Sequence, residues 1–354
     1  MKKMTGIMLL LCSIMPFMAC TSTEDEPYKP ETEQPSDDPN NNEEEDNDTT
    51  PVYGHLTTAN TVSDVVNHEA FNGFGRFILP AERSYNDNMT LQNVASMLPY
   101  HNYITGERAV ETINTMIDYV HDGNTLFYDI YSDADKQADS RKNNTGLFFF
   151  RGEPGKPFAI VCPGGGFSYV GAIHEGFPLA IALSKMGYNA FSIQYRTGGA
   201  QVACEDLAGA IDFIMRHAEE LQVSTDDYSL WGGSAGARMA AYLGSYGTQG
   251  FISAVHPRPA TVVMGYTGHS DYTRNDPPTY VVIGDNDAIA SASVMRQRVE
   301  NLQAIGIDAE FHLFPNLRHG FGLGIETSAE GWEKDAVAFW EKYISRKNGK
   351  SNRK

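Results

Sequence analysis

The sequence has few cysteines, no strongly basic segment and no apolar run long enough to cross a bilayer comfortably. Four cysteines in 354 residues exclude a disulfide framework as the basis of the fold. No pair of histidines or cysteines has the spacing of metal ligands, so we predict no metal site and no cofactor. With 27 basic against 45 acidic residues and no basic stripe, nucleic acid is not an expected partner.

The acidic residues are concentrated near the start of the chain. Residues 21–50 carry twelve Asp and Glu against the single Lys29, a net charge of -11, out of -18 for the whole chain. A segment with so few apolar side chains cannot bury enough surface to offset its ordering entropy. We therefore predict a disordered acidic tether over residues 20–51.

The first residues have the pattern of an export signal. Lys2 and Lys3 precede a short apolar stretch that ends in FMAC. This stretch resembles a lipoprotein signal peptide over residues 1–19, with Cys20 becoming the lipid-bearing first residue; a plain secretory signal is the alternative. The acidic TSTEDEP that follows is similar to surface-export signals of some Gram-negative lipoproteins. We expect an exported chain, anchored to the outer membrane by a lipid at Cys20 and facing the periplasm or the cell surface.

From residue 124 to 346, apolar runs alternate with amphipathic stretches, which predicts an α/β domain with a mostly parallel, eight-stranded sheet and helices on both faces. The predicted strands are 125–132, 145–152, 157–166, 189–196, 228–233, 260–266, 279–285 and 309–315. The predicted helices are 176–188, 202–221, 236–246, 291–306 and 330–344. Because no helix separates the first two strands, we predict that they form an antiparallel edge.

The flanking segments are predicted separately. Residues 52–123 form an N-terminal helical region, with helices over 61–71, 90–98 and 106–123. This region either covers one face of the sheet or reaches the active site as a cap. Residues 347–354 are predicted to be a disordered tail.

One serine lies among small residues directly after an apolar run, in GGSAG at 232–236. A G-x-S-x-G sequence between a strand and a helix is what a sharp, strained turn presenting a nucleophilic Ser234 requires. Residues two positions away must be small, and Gly232 and Gly236 meet that need. The alternative is a glycine-rich tight turn with an ordinary capping serine.

The partners of such a serine follow in the order acid, then histidine. Asp287 is the best candidate for the acid, in the loop after the strand TYVVIG, and Asp285 is the alternative. His319 lies in a loop next to glycine after the last strand, whereas a packing histidine would sit inside the strand. His174 and His269 are weaker candidates because neither follows the final strand.

The donors that would stabilise a developing oxyanion are expected in the loop after the third strand of the fold. That loop is CPGGGFSYV, and its glycines let backbone N–H groups approach a substrate oxygen closely. We assign Gly165 and Gly166, together with the N–H of Ala235. A phosphate-binding loop is the alternative, but neither G-x-G-x-x-G nor a G-K-[ST] ending is present.

Five motifs in this order resemble the α/β-hydrolase superfamily: PGGGF, YR at 195–196, GGSAG, GDND and HGF. The resemblance covers about residues 125–345 and is greatest to the bacterial esterase branch, which includes hormone-sensitive-lipase-like and feruloyl or acetyl-xylan esterase-like enzymes. One departure is Pro163, where that family usually has a histidine before the glycines.

The resemblance implies an esterase that acts on acetyl or feruloyl groups of polysaccharides. Phe167, Tyr169 and Tyr266 are candidates to stack on a sugar or phenolic ring, although aromatics at such positions are more often core residues. Two alternatives remain: a serine peptidase of the prolyl-oligopeptidase type, and a non-catalytic glycan-binding lipoprotein on the same fold. A lipase acting on long acyl chains is also open. Cys162 and Cys204 lie in segments predicted to be buried, which favours two inert thiols over a disulfide.

Overall fold

The computed structural model describes residues 54–80, 82–84 and 86–351, and its centre is one eight-stranded sheet with the strand order β1-β2-β4-β3-β5-β6-β7-β8. The strands are β1 Phe127–Tyr128, β2 Gly146–Phe150, β3 Pro157–Cys162, β4 Asn189–Gln194, β5 Ser224–Gly233, β6 Thr261–Gly265, β7 Thr279–Gly284 and β8 Ala309–Phe314. Each of the eight predicted strands is present. β5 begins four residues earlier than predicted, and the others are shorter than predicted by one to four residues at an end.

The sheet is antiparallel at one edge and parallel elsewhere. β1 pairs with β2 and β2 with β4 in antiparallel register, which confirms the predicted antiparallel edge. All the other neighbouring strands are parallel. The carboxyl ends of β3, β5, β7 and β8 therefore lie along the same edge of the sheet, and the loops that follow these strands are neighbours.

The α-helices are α1 Val62–Val66, α2 Gly106–His121, α3 Asp133–Ala138, α4 Phe177–Lys185, α5 Ala200–Arg216, α6 Ala218–Leu221, α7 Ala235–Tyr246, α8 Ala292–Ala304 and α9 Trp332–Ser351. α4 contacts α9, and α5 contacts α7, so the crossover helices form layers over the sheet. The predicted α/β architecture is confirmed. Sequence periodicity missed the short α3 and a single π-helical turn at Ala172–Gly176.

The strands in the middle of the sheet are buried on both faces. Every residue of β2, β4, β6 and β7 is buried, as expected of nearly continuous apolar runs between two helical layers. Cys162 and Cys204 are both free and buried, and burial raises the pKa of each thiol.

The N-terminal region contains α1, α2 and three 3₁₀ helices at Glu69–Phe71, Gly75–Phe77 and Leu91–Met97. α2 begins where the Thr105 side chain accepts the Arg108 N–H, and Gly123 follows the helix with φ +85°. This region also covers the edge of the sheet, because the Phe127 ring of β1 stacks on Phe74 and Phe77 at centroid distances of 5.1 and 5.7 Å.

The structure describes the chain up to residue 351 but does not describe the first 53 residues. The predicted signal peptide at 1–19, Cys20 and the whole of the predicted tether lie outside the described residues. α9 continues to Ser351, into the segment predicted as a disordered tail at 347–354. Among the described residues, no helix combines the length and apolarity needed to cross a membrane.

Candidate active site

Ser234 occupies the turn between β5 and α7. Its backbone has φ +51° and ψ -114°, a conformation that a residue other than glycine adopts only under strain. The Ser234 N–H donates to the Gly265 carbonyl of the neighbouring β6 at 2.9 Å, which holds the turn against the sheet. The residue is partly exposed, and its hydroxyl makes no capping bond to α7.

The glycines around this serine are required by close backbone contact. A Cβ on Gly232 would lie 2.4 Å from the Gly236 carbonyl carbon, and one on Gly236 would lie 1.8 Å from the Cys162 carbonyl oxygen. The turn can therefore form only if both positions are glycine.

His319 lies between Ser234 and Asp287. His319 Nε2 is 3.0 Å from Ser234 Oγ, and His319 Nδ1 is 2.8 Å from Asp287 Oδ2. The side chains of His319 and Asp287 are 3% and 0% exposed, so the contact between them is shielded from water. Because a carboxylate only accepts hydrogen bonds, Nδ1 carries the proton and Nε2 is free to accept the serine hydroxyl proton.

Asp287, not Asp285, contacts the histidine. The second oxygen of Asp287 accepts the backbone N–H groups of Ile289 and Ala290, both at 2.8 Å, which fixes its carboxylate toward His319. Asp285 instead accepts the Asn316 N–H at 2.6 Å and ties the loop after β8 to the loop after β7.

The loop after β3 lies beside the serine. A Cβ on Gly164 would lie 3.0 Å from the Ser234 Cβ. Gly165 and Gly166 follow with φ +135° and +64°, so the loop curves in a way that favours glycine. In the described part of the chain, no oxygen accepts the N–H groups of Gly165, Gly166 or Ala235. Ala235 is the first residue of α7, so its N–H also lies at the positive end of a helix dipole.

The comparisons with known proteins concern the family and the fold. The model of the BD-FAE family matches residues 151–259, which is under half of the chain. An acetyl ester-xyloside bifunctional hydrolase from Caldicellulosiruptor lactoaceticus is 20% identical, with a TM-score of 0.54 over 61% of this chain and 95% of that chain. Esterase B from Lactobacillus rhamnosis is 14% identical, with a TM-score of 0.53 over 65% of this chain and 88% of that chain. None of the curated proteins compared with the sequence matches it significantly.

The chain has the α/β-hydrolase fold. At these identities the solved structures establish the fold alone. Within this hydrolase fold, the serine turn follows β5, and the acid and the histidine follow β7 and β8.

Two of the three aromatic side chains proposed to bind substrate are in the wrong place for it. Tyr169 and Tyr266 are 0% and 2% exposed, because both rings pack beneath the loops of the site. Tyr266 stands edge-on to His319 at 5.3 Å and supports the histidine ring from below. Phe167 is half-buried and lies edge-on to Tyr195.

The two weaker histidine candidates do not approach the serine. His174 donates from Nε2 to the Gly320 carbonyl at 3.0 Å, and the ring of His269 packs edge-on against Tyr242. Burial lowers the pKa of both histidines to about 4. No group of His, Cys, Asp and Glu among the described residues is arranged to hold a metal ion.

The N-terminal region, predicted either to cover a face of the sheet or to reach the site as a cap, contacts the loops of the site through residues 100–103, which the sequence did not single out. The Tyr100 ring is 40% exposed, stacks on Tyr169, and would lie 3.1 Å from a Cβ placed on Gly166. Asn102 donates to the His319 carbonyl at 2.8 Å, and the Tyr103 hydroxyl accepts the Arg318 N–H at 2.8 Å.

A cavity of about 240 Å³ lies between α2, α4 and the loop after β8. It is lined mainly by apolar side chains. The residues that line it do not include Ser234, Asp287 or His319.

Proposed function

We propose that this chain is a serine hydrolase that cleaves carboxylic esters through an acyl-enzyme. The observation that carries this proposal is the single imidazole held at 3.0 Å from Ser234 Oγ and at 2.8 Å from Asp287. A hydroxyl that is hydrogen-bonded to an oriented base is the arrangement of an activated nucleophile.

In the proposed reaction, Ser234 Oγ attacks the ester carbonyl carbon while His319 Nε2 takes the hydroxyl proton. Asp287 keeps the imidazole in the required tautomer and stabilises its charged form. The bond between the carbonyl carbon and the alcohol oxygen then breaks, and the alcohol leaves with the proton from His319. In the second half, His319 Nε2 takes a proton from a water molecule as that water attacks the acyl carbon. The bond from the acyl carbon to Ser234 Oγ breaks, Oγ takes the proton from His319, and the acid is released.

The negative oxygen that forms in each attack needs hydrogen-bond donors. The N–H groups of Gly165, Gly166 and Ala235 have no acceptor among the described residues and lie on the two segments that flank Ser234. One such donor contributes roughly 3 kcal/mol of transition-state stabilisation.

The substrate class we propose is an acylated carbohydrate carrying acetyl or feruloyl groups. The name of one structural relative, an acetyl ester-xyloside hydrolase, and the BD-FAE match support this choice. The exposed ring of Tyr100 beside Gly166 gives a flat surface on which a sugar or phenolic ring could stack. A prolyl-oligopeptidase-like peptidase is the less favoured alternative. Such peptidases usually carry a large propeller domain, whereas the described residues before β1 form helices and turns.

The attachment to a membrane is a separate proposal that rests on sequence alone. We propose that Cys20 is acylated and that residues 21–51 hold the hydrolase off the outer membrane. Mass spectrometry of the N-terminus of the mature protein, expressed in a Gram-negative host, tests this. A mature chain that begins with an unmodified residue other than Cys20 would refute it.

The ester hydrolase proposal is tested by Ser234→Ala, with Ser293→Ala, an exposed serine of α8, as the matched control. We expect Ser234→Ala to lose on the order of 10⁶ in kcat on p-nitrophenyl acetate, and the control to behave as the unmodified chain. Cleavage of an aminoacyl-p-nitroanilide instead of the ester would favour the peptidase, and cleavage of neither would favour a glycan-binding protein.

The substrate class is tested at Tyr100. We expect Tyr100→Ala to raise KM for feruloylated or acetylated xylan fragments about tenfold, because a ring-stacking contact contributes about 0.5–1.5 kcal/mol. KM for p-nitrophenyl acetate should change little, and Tyr100→Phe should resemble the unmodified chain. Equal effects on both substrates would show that Tyr100 does not select the carbohydrate.

A further inference from the structure

Glu175 is a buried carboxylate that takes no part in the proposed reaction. It lies in the π-helical turn before α4 and is 3% exposed. Glu175 Oε2 accepts the Gly164 N–H at 2.5 Å. A Cβ on Gly233 would lie 2.6 Å from the same oxygen, so the carboxylate is directly beneath both the oxyanion loop and the serine turn.

The N-terminal region supplies the partner of this carboxylate. His101 Nε2 lies 2.9 Å from Glu175 Oε1, and the side chains are 1% and 2% exposed. Burial would raise the pKa of Glu175, but the interactions with His101, with the nearby His174 and with the Gly164 N–H together outweigh burial and lower that pKa to about 2.

The same histidine also holds the far side of the oxyanion loop. His101 Nδ1 is 2.9 Å from the Tyr169 hydroxyl, and the Tyr169 N–H donates to the Gly165 carbonyl at 3.3 Å. Gly165 and Gly166 are therefore held from one end by Glu175 through Gly164, and from the other end by His101 through Tyr169.

A carboxylate this close to the site has a cost for the reaction. An unpaired negative charge beneath Gly164 would oppose the negative oxygen that forms on the substrate. Pairing with His101 offsets that charge while keeping the strong acceptor that the Gly164 N–H requires.

We propose that Glu175 and His101 are a pair of positioning residues that fix the oxyanion loop, so that the N-terminal region is a working part of the active site. This inference rests on the proposed ester hydrolysis. The two residues do not touch the substrate; they set where the N–H groups of Gly165 and Gly166 point.

The test compares Glu175→Ala with Glu175→Gln on p-nitrophenyl acetate, with kcat expressed per active site titrated by a phosphonate. We expect Glu175→Ala to lower kcat about 10²-fold with KM within about threefold, the size of effect of losing one oxyanion donor. Glu175→Gln keeps an acceptor for Gly164 and should recover most of that loss.

Asp276→Asn is the matched control. Asp276 is also a buried carboxylate that accepts a backbone N–H, from Thr273 at 2.9 Å, and pairs with a buried cation, Arg298 at 2.7 Å. It lies just before the amino end of β7, whereas Ser234 follows the carboxyl end of β5. The two residues are therefore at opposite ends of the parallel strands. Replacement of Asp276 should lower stability and leave kcat per active site unchanged.

Should Glu175→Ala fail to fold, His101→Gln tests the pair from its other member. We expect a loss of at least tenfold in kcat, partly restored in the double variant His101→Gln/Glu175→Gln, which has no unpaired charge. Unchanged kcat per titrated site in Glu175→Ala or His101→Gln overturns the inference. Activity that survives Ser234→Ala would instead overturn the proposed function, so the two failures are distinguishable.

Discussion

The sheet and the N-terminal region contribute different things to the same site. The loops after β3, β5, β7 and β8 carry the groups proposed to react: the oxyanion glycines, Ser234, Asp287 and His319. Residues 100–103 of the N-terminal region carry none of these groups, yet they contact two of the loops through hydrogen bonds and one buried ion pair.

The two regions should differ in how much activity is lost when a residue is substituted. No neighbouring side chain can replace a group that reacts, whereas a loop is held in place by several residues together. Changes to the reacting groups on the sheet side should therefore cost far more activity than changes on the N-terminal side. Changes where the two regions meet should have intermediate effects, on kcat at Glu175 and His101 and on stability at His174.

After Ser234→Ala, the largest effect is expected on the sheet side, at Asp287. Asp287→Asn leaves the geometry nearly intact but lets the imidazole take the wrong tautomer, so kcat should fall about 10⁴-fold. Steady-state kinetics on p-nitrophenyl acetate measure this. Asp285→Asn is the control, because Asp285 bonds the Asn316 N–H and not His319. A larger loss at Asp285 than at Asp287 would reverse the assignment.

An intermediate effect is expected at His174, where the two regions meet. Its ring packs edge-on against His101 at 5.4 Å, and burial, with the nearby charges of His101 and Arg108, lowers its pKa to about 4 despite Glu175. Below the unfolded-state pKa near 6.5, the unfolded chain takes up a proton that the folded chain excludes. Stability is therefore complete above about pH 6.5 and declines toward pH 4, by on the order of 2 kcal/mol at pH 5.

Urea denaturation at pH 8 and at pH 5 measures this loss. In His174→Gln, the difference between the two pH values should shrink by about that amount, whatever the absolute stability of the variant. His269→Gln should give a comparable reduction, since burial lowers the pKa of His269 to about 4 as well. An unchanged difference in His174→Gln would mean that His174 does not exclude its proton.

The smallest effect is expected at Asn102 in the N-terminal region. Asn102→Ala removes the 2.8 Å bond to the His319 carbonyl, and kcat should fall about tenfold, since one hydrogen bond contributes about 0.5–1.5 kcal/mol. Asn114→Ala is the control: Asn114 also bonds backbone, at Leu56, but far from the histidine loop along the chain. A loss near that of Asp287→Asn would abolish the distinction between the two regions.

The sequence was sufficient to predict the sheet and the serine turn because both depend on local patterns. Apolar runs mark strands buried on both faces, and Gly232 and Gly236 mark a turn with no space for a Cβ. Asp287 and His319 follow from the position of their loops after particular strands. The structure brings these residues together with Ser234.

The contacts of residues 100–103 could not be predicted in the same way. Tyr100 and His101 lie in a loop without periodicity, and their partners Tyr169 and Glu175 are about 70 residues away in the chain. Nothing local distinguishes a tyrosine that faces solvent from one that is buried, so the sequence favours Tyr169 and Tyr266 as substrate contacts and does not single out Tyr100. An acid within the apolar stretch around Glu175 was the one available signal of a buried charge.

The two-residue β1 has a consequence for behaviour at high concentration. A sheet edge exposes unpaired backbone groups that can recruit a strand from another molecule. Here the edge strand is only Phe127–Tyr128, and the Phe127 ring is covered by Phe74 and Phe77. So short and covered an edge offers little template for intermolecular strand addition, which protects the antiparallel side of the sheet against aggregation.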